Sequence, residues 1–171
     1  MIIREISVSD AEAFLRLSRG LDKETQYMLY EPGERSTTLE EQRARIEKIH
    51  NKGFSTIFVA EDEEQLVGYA GIFGSALKRV RHRASIVIGI LPPFQGRGLG
   101  TKLLGVTHQW AKEKGIHRLE LTVMEHNRHA MYLYNKMGYR VEGMRKSAIV
   151  LEDRTIDEFY MGKILKADKE K

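Results

Sequence analysis

The apolar run Ile86, Val87, Ile88, Gly89, Ile90 and Leu91 meets Pro92 and Pro93, and the turn from Gln95 to Thr101 follows at once. Leu103, Leu104, Thr107, Trp110 and Ala111 then recur at helical spacing. A strand, a glycine turn and a helix in immediate succession leave a chain few folds to choose from. The nearly unbroken apolar run predicts a central strand buried on both faces. An isolated glycine in such a run, here Gly89, marks a bulge or a close approach to the backbone. The two prolines stop the strand, and Gly115 stands where the helix would be capped. Gly96, Gly98 and Gly100 leave backbone N–H groups accessible. A glycine turn feeding a helix N-terminus is an anion site, because unpaired N–H groups and the helix dipole both favour phosphate.

The spacing decides which phosphate. A P-loop requires glycine and lysine followed by serine or threonine, but here Lys102 follows Thr101. The dinucleotide fingerprint Gly-x-Gly-x-x-Gly fails because the third glycine, Gly100, arrives one residue early, and the turn lies mid-chain. Composition narrows the classes further. With 171 residues and no cysteine, the chain suits one domain without disulfides, a thiolate nucleophile or a cysteine-bound metal. His108, His117, His126 and His129 show no metal-ligand grouping, so no metal is assigned. No apolar run approaches a membrane span, and Arg4 and Glu5 interrupt any signal-peptide core, so the cytoplasm is expected and no membrane partner. A net charge of +4 is explained by a polyanionic cofactor as readily as by nucleic acid.

Taken in order, residues 2–6 read as a strand, and Ser9-x-x-Glu12 as a capping box opening a helix with Ala11, Phe14, Leu15 and Leu21 inward. Pro32 and Gly33 make residues 22–36 a loop. Thr38-x-x-Glu41 opens a second helix with Leu39, Gln42, Ile46 and Ile49 on one stripe and Gly53 beyond its end. Residues 55–61 and 65–73 form a hairpin, and the basic loop 78–83 leads to the central strand. After the helix that ends at Gly115, residues 116–124 alternate, with Leu119, Leu121 and Val123 opposite Glu120 and Thr122. A short helix over 127–137, ending at Gly138, and a hairpin of 139–150 with 155–165 complete a single domain over 1–165. Residues 166–171 are too charged to pack and are expected to fray.

Gln95-x-x-Gly98-x-Gly100 resembles the acetyl-CoA signature of the GCN5-related N-acetyltransferase (GNAT) family. Asn127-x-x-Ala130-x-x-Leu133-Tyr134-x-x-x-Gly138-Tyr139 resembles that family's second block, one helix and one strand later. The element order is similar too, and Asp157 with Met161 resembles the branch acting on ribosomal proteins and polyamines. The resemblance implies an α/β fold with a mixed, mostly antiparallel central sheet and helices on both faces. It also implies acetyl-CoA as co-substrate, and transfer of its acetyl group to a primary amine by direct attack. The amine would belong to a small molecule (polyamine-like or antibiotic) or a protein N-terminus. A homodimer is left open, being common in the family.

By the same resemblance, Ile88, Gly89 and Ile90 would hold pantetheine along the strand, at a bulge expected near Gly89. Gln95, Gly96, Arg97, Gly98, Leu99, Gly100 and Thr101 would cradle the pyrophosphate, though Arg97 is equally a solvated loop arginine. Asn127 would bond the pantetheine arm. Tyr134 would also touch CoA and protonate the departing thiolate: an ordinary phenol, with pKa ~10, is protonated at neutral pH. The glutamate that histone-modifying relatives carry on the central strand has no counterpart between Ala84 and Leu91. Candidate bases are Glu120, Glu125 and Glu31. Glu31 follows Tyr27 and Tyr30, a mixture suited to an ammonium through charge and cation–π contact. Each carboxylate taken alone reads more readily as a surface charge than as a base. Loop 78–83 could meet the adenosine 3′-phosphate, acidic protein or nucleic acid, but no aromatic interleaving supports base stacking, so a solvated loop is expected and no nucleic-acid partner. The alternative to an enzyme is a non-catalytic CoA-binding module; Tyr134 and Asn127 favour the enzyme.

Overall fold

The computed structural model describes residues 1–165, so the expected frayed segment 166–171 lies outside the described residues. In chain order the elements are β1 (Ile2–Glu5), α1 (Ala11–Glu24), α2 (Leu39–Lys52), β2 (Ser55–Asp62), β3 (Gln65–Phe73), β4 (Arg83–Ile90), α3 (Leu99–Glu113), β5 (Arg118–Met124), α4 (Arg128–Lys136), β6 (Arg140–Leu151) and β7 (Arg154–Ile164). One sheet runs β1-β2-β3-β4-β5-β7-β6, antiparallel at every junction except the parallel β4–β5 pair.

Strand alternation distributes the helices between the faces. Ile57 and Val59 of β2 pack with Phe14, Leu17 and Leu21 of α1 and with Ile46 and Ile49 of α2. Ala60, one step out of phase, packs with Leu99 and Leu103 of α3 instead. On that second face Leu119, Leu121 and Val123 meet Leu104 and Ala111 of α3, Tyr134 of α4 and Tyr139. Helix α2 opens on the expected box: Thr38 Oγ1 accepts from the Glu41 N–H at 3.2 Å, and Glu41 accepts from the Thr38 N–H at 2.8 Å. Helix α1 does not open on Ser9 and Glu12. A 3-10 turn precedes it, so the box falls two residues earlier, with Asp10 accepting from the Ser7 N–H at 2.7 Å. Glu12 pairs with Arg16 instead.

Two expectations about β4 are corrected. Its ladder with β3 runs unbroken from Phe73↔Ser85 to Gly68↔Ile90, so there is no bulge at Gly89. The glycine answers to packing: a Cβ there would lie 2.7 Å from Leu21 Cδ1 and 3.0 Å from Tyr69 Cε1. Nor is β4 buried on both faces, for Val87 is 42% exposed. Helix α1 reaches this face through Leu21 at Gly89, while Ser85 and Val87 stay exposed.

The site is positioned by where β4 and β5 part. They pair only at Arg83↔Arg118, Ala84↔Leu119 and Ser85↔Glu120, and beyond that level they diverge.

Candidate active site

The divergence leaves one edge of β4 without a strand partner just before the glycine turn. The Leu91 N–H donates to Val67 O at 3.0 Å, which fixes the phase of the ladder with β3. Because antiparallel pairs alternate, Gly89 and Val87 direct their N–H and C=O groups to β3, whereas Ile88 and Ile90 direct theirs toward β5. Of the three strand residues expected to meet a pantetheine, Ile88 and Ile90 therefore present open edge groups and Gly89 does not. The Ile90 carbonyl already accepts from Gln95 Nε2 at 2.8 Å, which ties the signature glutamine to the strand end.

Six consecutive N–H groups follow. Those of Gly96, Arg97, Gly98, Leu99, Gly100 and Thr101 donate to no acceptor among the described residues. Their neighbours Gln95 and Lys102 donate to Pro92 O and Gly98 O. Gly96 and Gly98 have φ of 72° and 79°, left-handed values that let the chain fold its donors to one side. Gly100 has another reason. It is buried, and a Cβ there would come 2.7 Å from Leu133 Cδ2, so it lets α3 approach α4. The exposed Arg97 has Phe94 beneath it, its guanidinium carbon 5.8 Å from the ring centre. A row of unpaired donors at a helix N-terminus, continuous with an open strand edge, fits a pyrophosphate joined to an extended arm.

Tyr134 lies below the divergence, clustered with Ile86 of β4 and with Leu121 and Val123 of β5. Its hydroxyl makes no hydrogen bond among the described residues. Burial, and then the nearby Tyr69, hold the phenol well above its ordinary value. Tyr132 is 73% exposed on the opposite side of α4. Asn127 Oδ1 accepts from the Ala130 N–H at 3.1 Å, capping α4 and leaving its amide nitrogen to donate elsewhere.

A network behind Tyr134 holds that end of α4. Lys163 Nζ donates to Met137 O at 2.6 Å and lies 3.3 Å from His108 Nδ1; His108 Nε2 lies 3.0 Å from the Tyr139 hydroxyl. Since the ammonium can only donate, Nδ1 accepts and Nε2 carries the hydrogen of neutral His108. Burial first, then Lys163 and Lys112, push His108 down to about 4.

At the same end of the sheet a cleft of about 600 Å³ is walled by Pro92 and Gln95 of the glycine turn, Met124 of β5, residues 22–32 and residues 149–152 of the β6–β7 hairpin. Glu31 is exposed on this wall, as are Tyr27 and Tyr30. Sequence reasoning missed what steadies the wall. Asp22, 2% exposed, accepts from Arg35 at 2.6 and 2.9 Å, and the Tyr30 ring covers the guanidinium at 4.3 Å. No spacing rule links an acid at a helix end to an arginine thirteen residues later in a loop. Also missed were Tyr69, over Gly89, and His126, whose ring centre is 5.4 Å from that of Tyr27.

The other candidate bases stand apart. Glu120 lies where β4 and β5 are still paired, bonded to Arg83 and Arg118 at 3.2 Å each, and Arg118 reaches on to Glu142. Its carboxylate oxygens are thus already engaged by two guanidinium groups, at the paired end of the split. Glu125 is exposed, and its N–H donates to Asp157 O. Loop 78–83 precedes β4 whereas the glycine turn follows it. The strand separates them by roughly 23 Å at ~3.3 Å per residue, so the loop is remote from a phosphate held at the turn. Its Arg81 instead lines a smaller cleft, about 360 Å³, with Lys114.

A mixed sheet split at its one parallel junction, with an open edge leading into a donor-rich helix start, defines the acyl-CoA N-acyltransferase fold. The chain belongs to the acetyltransferase (GNAT) family, whose model matches residues 22–139. A GNAT-family acetyltransferase from Streptococcus pneumoniae superposes with a TM-score of 0.92 at 30% identity, over 96% of this chain and 99% of that one. The Salmonella typhimurium protein yncA, solved with its cofactor acetyl-CoA, shares the fold at a TM-score of 0.85 and 20% identity, over 99% of this chain and 96% of that one. In sequence, the [ribosomal protein bS18]-alanine N-acetyltransferase of Haemophilus influenzae is 37% identical over 87 residues, 50% of this chain and 56% of that one. The chain spans about half the length of such curated relatives, 55% and 56% for two of them.

Proposed function

We propose that the chain is an acetyl-CoA-dependent N-acetyltransferase acting on a primary amine that enters as its ammonium. The observation that carries this reading is the open edge at Ile88 and Ile90 running into six unpaired N–H groups between Gly96 and Thr101. Bound acetyl-CoA would supply an activated acyl carbon and a thiol leaving group. Backbone donors aimed at a developing oxyanion are each commonly worth ~3 kcal/mol in a transition state, and the Ile88 and Ile90 edge is the source of such donors here. The Gly96–Thr101 donors and Arg97 hold phosphate. Asn127 has its amide nitrogen available for the coenzyme arm. The phenol of Tyr134, kept protonated by burial, gives its proton to the departing sulfur.

The acceptor is taken from the cleft beside the turn, where the exposed carboxylate of Glu31 favours a cation; the Tyr30 ring is already stacked on Arg35 and Tyr27 lies against His126. A polyamine-like molecule or a peptide N-terminus fits this description, and an alanine N-terminus is what the Haemophilus relative's name specifies. Glu120 is assigned to the ion network at the closed end of the split rather than to chemistry. As a consumer of acetyl-CoA the enzyme is read as cytoplasmic.

Thiol release from acetyl-CoA, measured against spermidine, an alanine-first hexapeptide and an aminoglycoside, tests the reading. Turnover with at least one amine is expected; tight CoA binding with no turnover on any amine would make the chain a binding module. With the active amine, Glu31→Gln should raise the acceptor KM by about tenfold or more, the worth of a charge-assisted hydrogen bond at ~1.5–3 kcal/mol, and leave the acetyl-CoA KM alone. An unchanged acceptor KM returns Glu31 to the surface.

A further inference from the structure

Both ring nitrogens of His126 are closed to water and have no hydrogen-bond partner among the described residues. A neutral imidazole always presents one N–H and one lone pair, so a donor and an acceptor are both left unsatisfied. Buried polar groups in folded proteins are nearly always bonded, and an exception needs a reason. The position of His126 supplies one. It stands two residues beyond Met124, which lines the acceptor cleft, and immediately before Asn127, which caps α4. The described ring lying against it is Tyr27, from the segment that walls the cleft. The carboxylates considered as bases are less suitable: Glu31 and Glu125 are exposed, and Glu120 is bound to two arginines.

We propose that His126 is the proton acceptor for the incoming ammonium, meeting it when the acceptor takes the place of the Tyr27 ring. This rests on the acetyltransferase reading above. The acceptor ammonium passes one proton to an imidazole nitrogen of His126 and becomes a free amine. Its lone pair then forms the C–N bond at the acetyl carbon as the C–S bond breaks. The sulfur takes a proton from Tyr134, and Tyr134 recovers one from the nitrogen as it becomes the amide. His126 gives its proton to solvent, so one proton is released per turnover.

Replacing His126 with phenylalanine keeps a ring against Tyr27 and removes both unsatisfied nitrogens, so the coenzyme-free melting temperature should hold or rise. For spermidine, or the alanine-first hexapeptide if that is the better acceptor, kcat/KM should fall by ~10² or more, the usual scale of general base catalysis. Hydroxylamine, an acceptor already neutral at pH 7, should be acetylated within a few-fold of wild type. His126→Ala should regain activity toward the ammonium acceptor when imidazole is added. A readout independent of turnover is the carbon-13 ring signal that vanishes in His126→Phe, which should shift when the same amine is added to coenzyme-free wild-type protein. Equal losses with hydroxylamine and with the ammonium acceptor, an unchanged kcat/KM in His126→Phe, or a ring signal indifferent to a saturating acceptor would each overturn the assignment. If wild-type protein acetylates no amine, the acetyltransferase reading itself fails, and that result is separate from these.

Discussion

At the scale of single residues, Tyr134 and Gly100 separate chemistry from packing. Tyr134→Phe removes one hydroxyl that makes no hydrogen bond among the described residues, so melting temperature and CoA affinity should survive. Its loss should appear in kcat, by at least ~10² where thiolate departure limits the rate, because the proton moves only in the transition state. Tyr132→Phe, on the exposed side of α4, should be silent. Wild-type kcat in Tyr134→Phe would make Tyr134 a packing residue. Gly100→Val should instead lower stability without any ligand, by about 1–3 kcal/mol, since its side chain would overpack Leu133. Unchanged denaturant midpoints would contradict that. The sequence placed Gly100 in an expected phosphate turn, as one of three alternate glycines at a helix start. It could not show the contact with Leu133, thirty-three residues away, which a tertiary approach of two helices creates. His126 was invisible for the same reason: its isolation depends on what a distant loop places against it.

Among the elements, β4 carries the sharpest expectation. Amide exchange at Ile88 and Ile90 should be fast without coenzyme and slow once CoA is added. Val87 and Gly89, bonded to β3, should be protected in both conditions. Equal protection along the strand without CoA would mean that β4 and β5 stay paired beyond Ser85. The strand itself was readable from its apolar run, and so was its end at the prolines. Its one-sided exposure was not, because a run of isoleucine and valine does not reveal how far a helix on the other face extends. The loop before α2 was also readable as a loop. Its fastening was not, since the Asp22–Arg35 pair obeys no local rule.

For the molecule as a whole, acid should be felt through His108. Its ordinary value is 6.5 and the folded value is about 4, so the unfolded chain binds a proton that the fold refuses. The stability this withholds is fully present above pH 6.5 and is lost as pH falls toward 4, amounting to about 3 kcal/mol. Urea midpoints at pH 7 and pH 4.5 should therefore differ less in His108→Gln than in wild type; an equal difference would mean that His108 does not couple folding to pH. Asp10, held down to about 2 chiefly by its hydrogen bond from Arg4, adds a loss of the same sign only below about 3.8. The layered α/β architecture was legible in outline through the family resemblance of the element order and the two motifs; the periods supplied the elements but not their arrangement.

The buried Asp22–Arg35 fastening divides the molecule's evolutionary freedom. Between these two anchored points the chain can be rewritten as an interchangeable segment. Changes at Met28, Leu29 or Glu31 would then reshape the cleft wall while the anchoring pair stays in place. On the acetyltransferase reading proposed above, a descendant of this sequence would change its amine here while keeping its acyl donor.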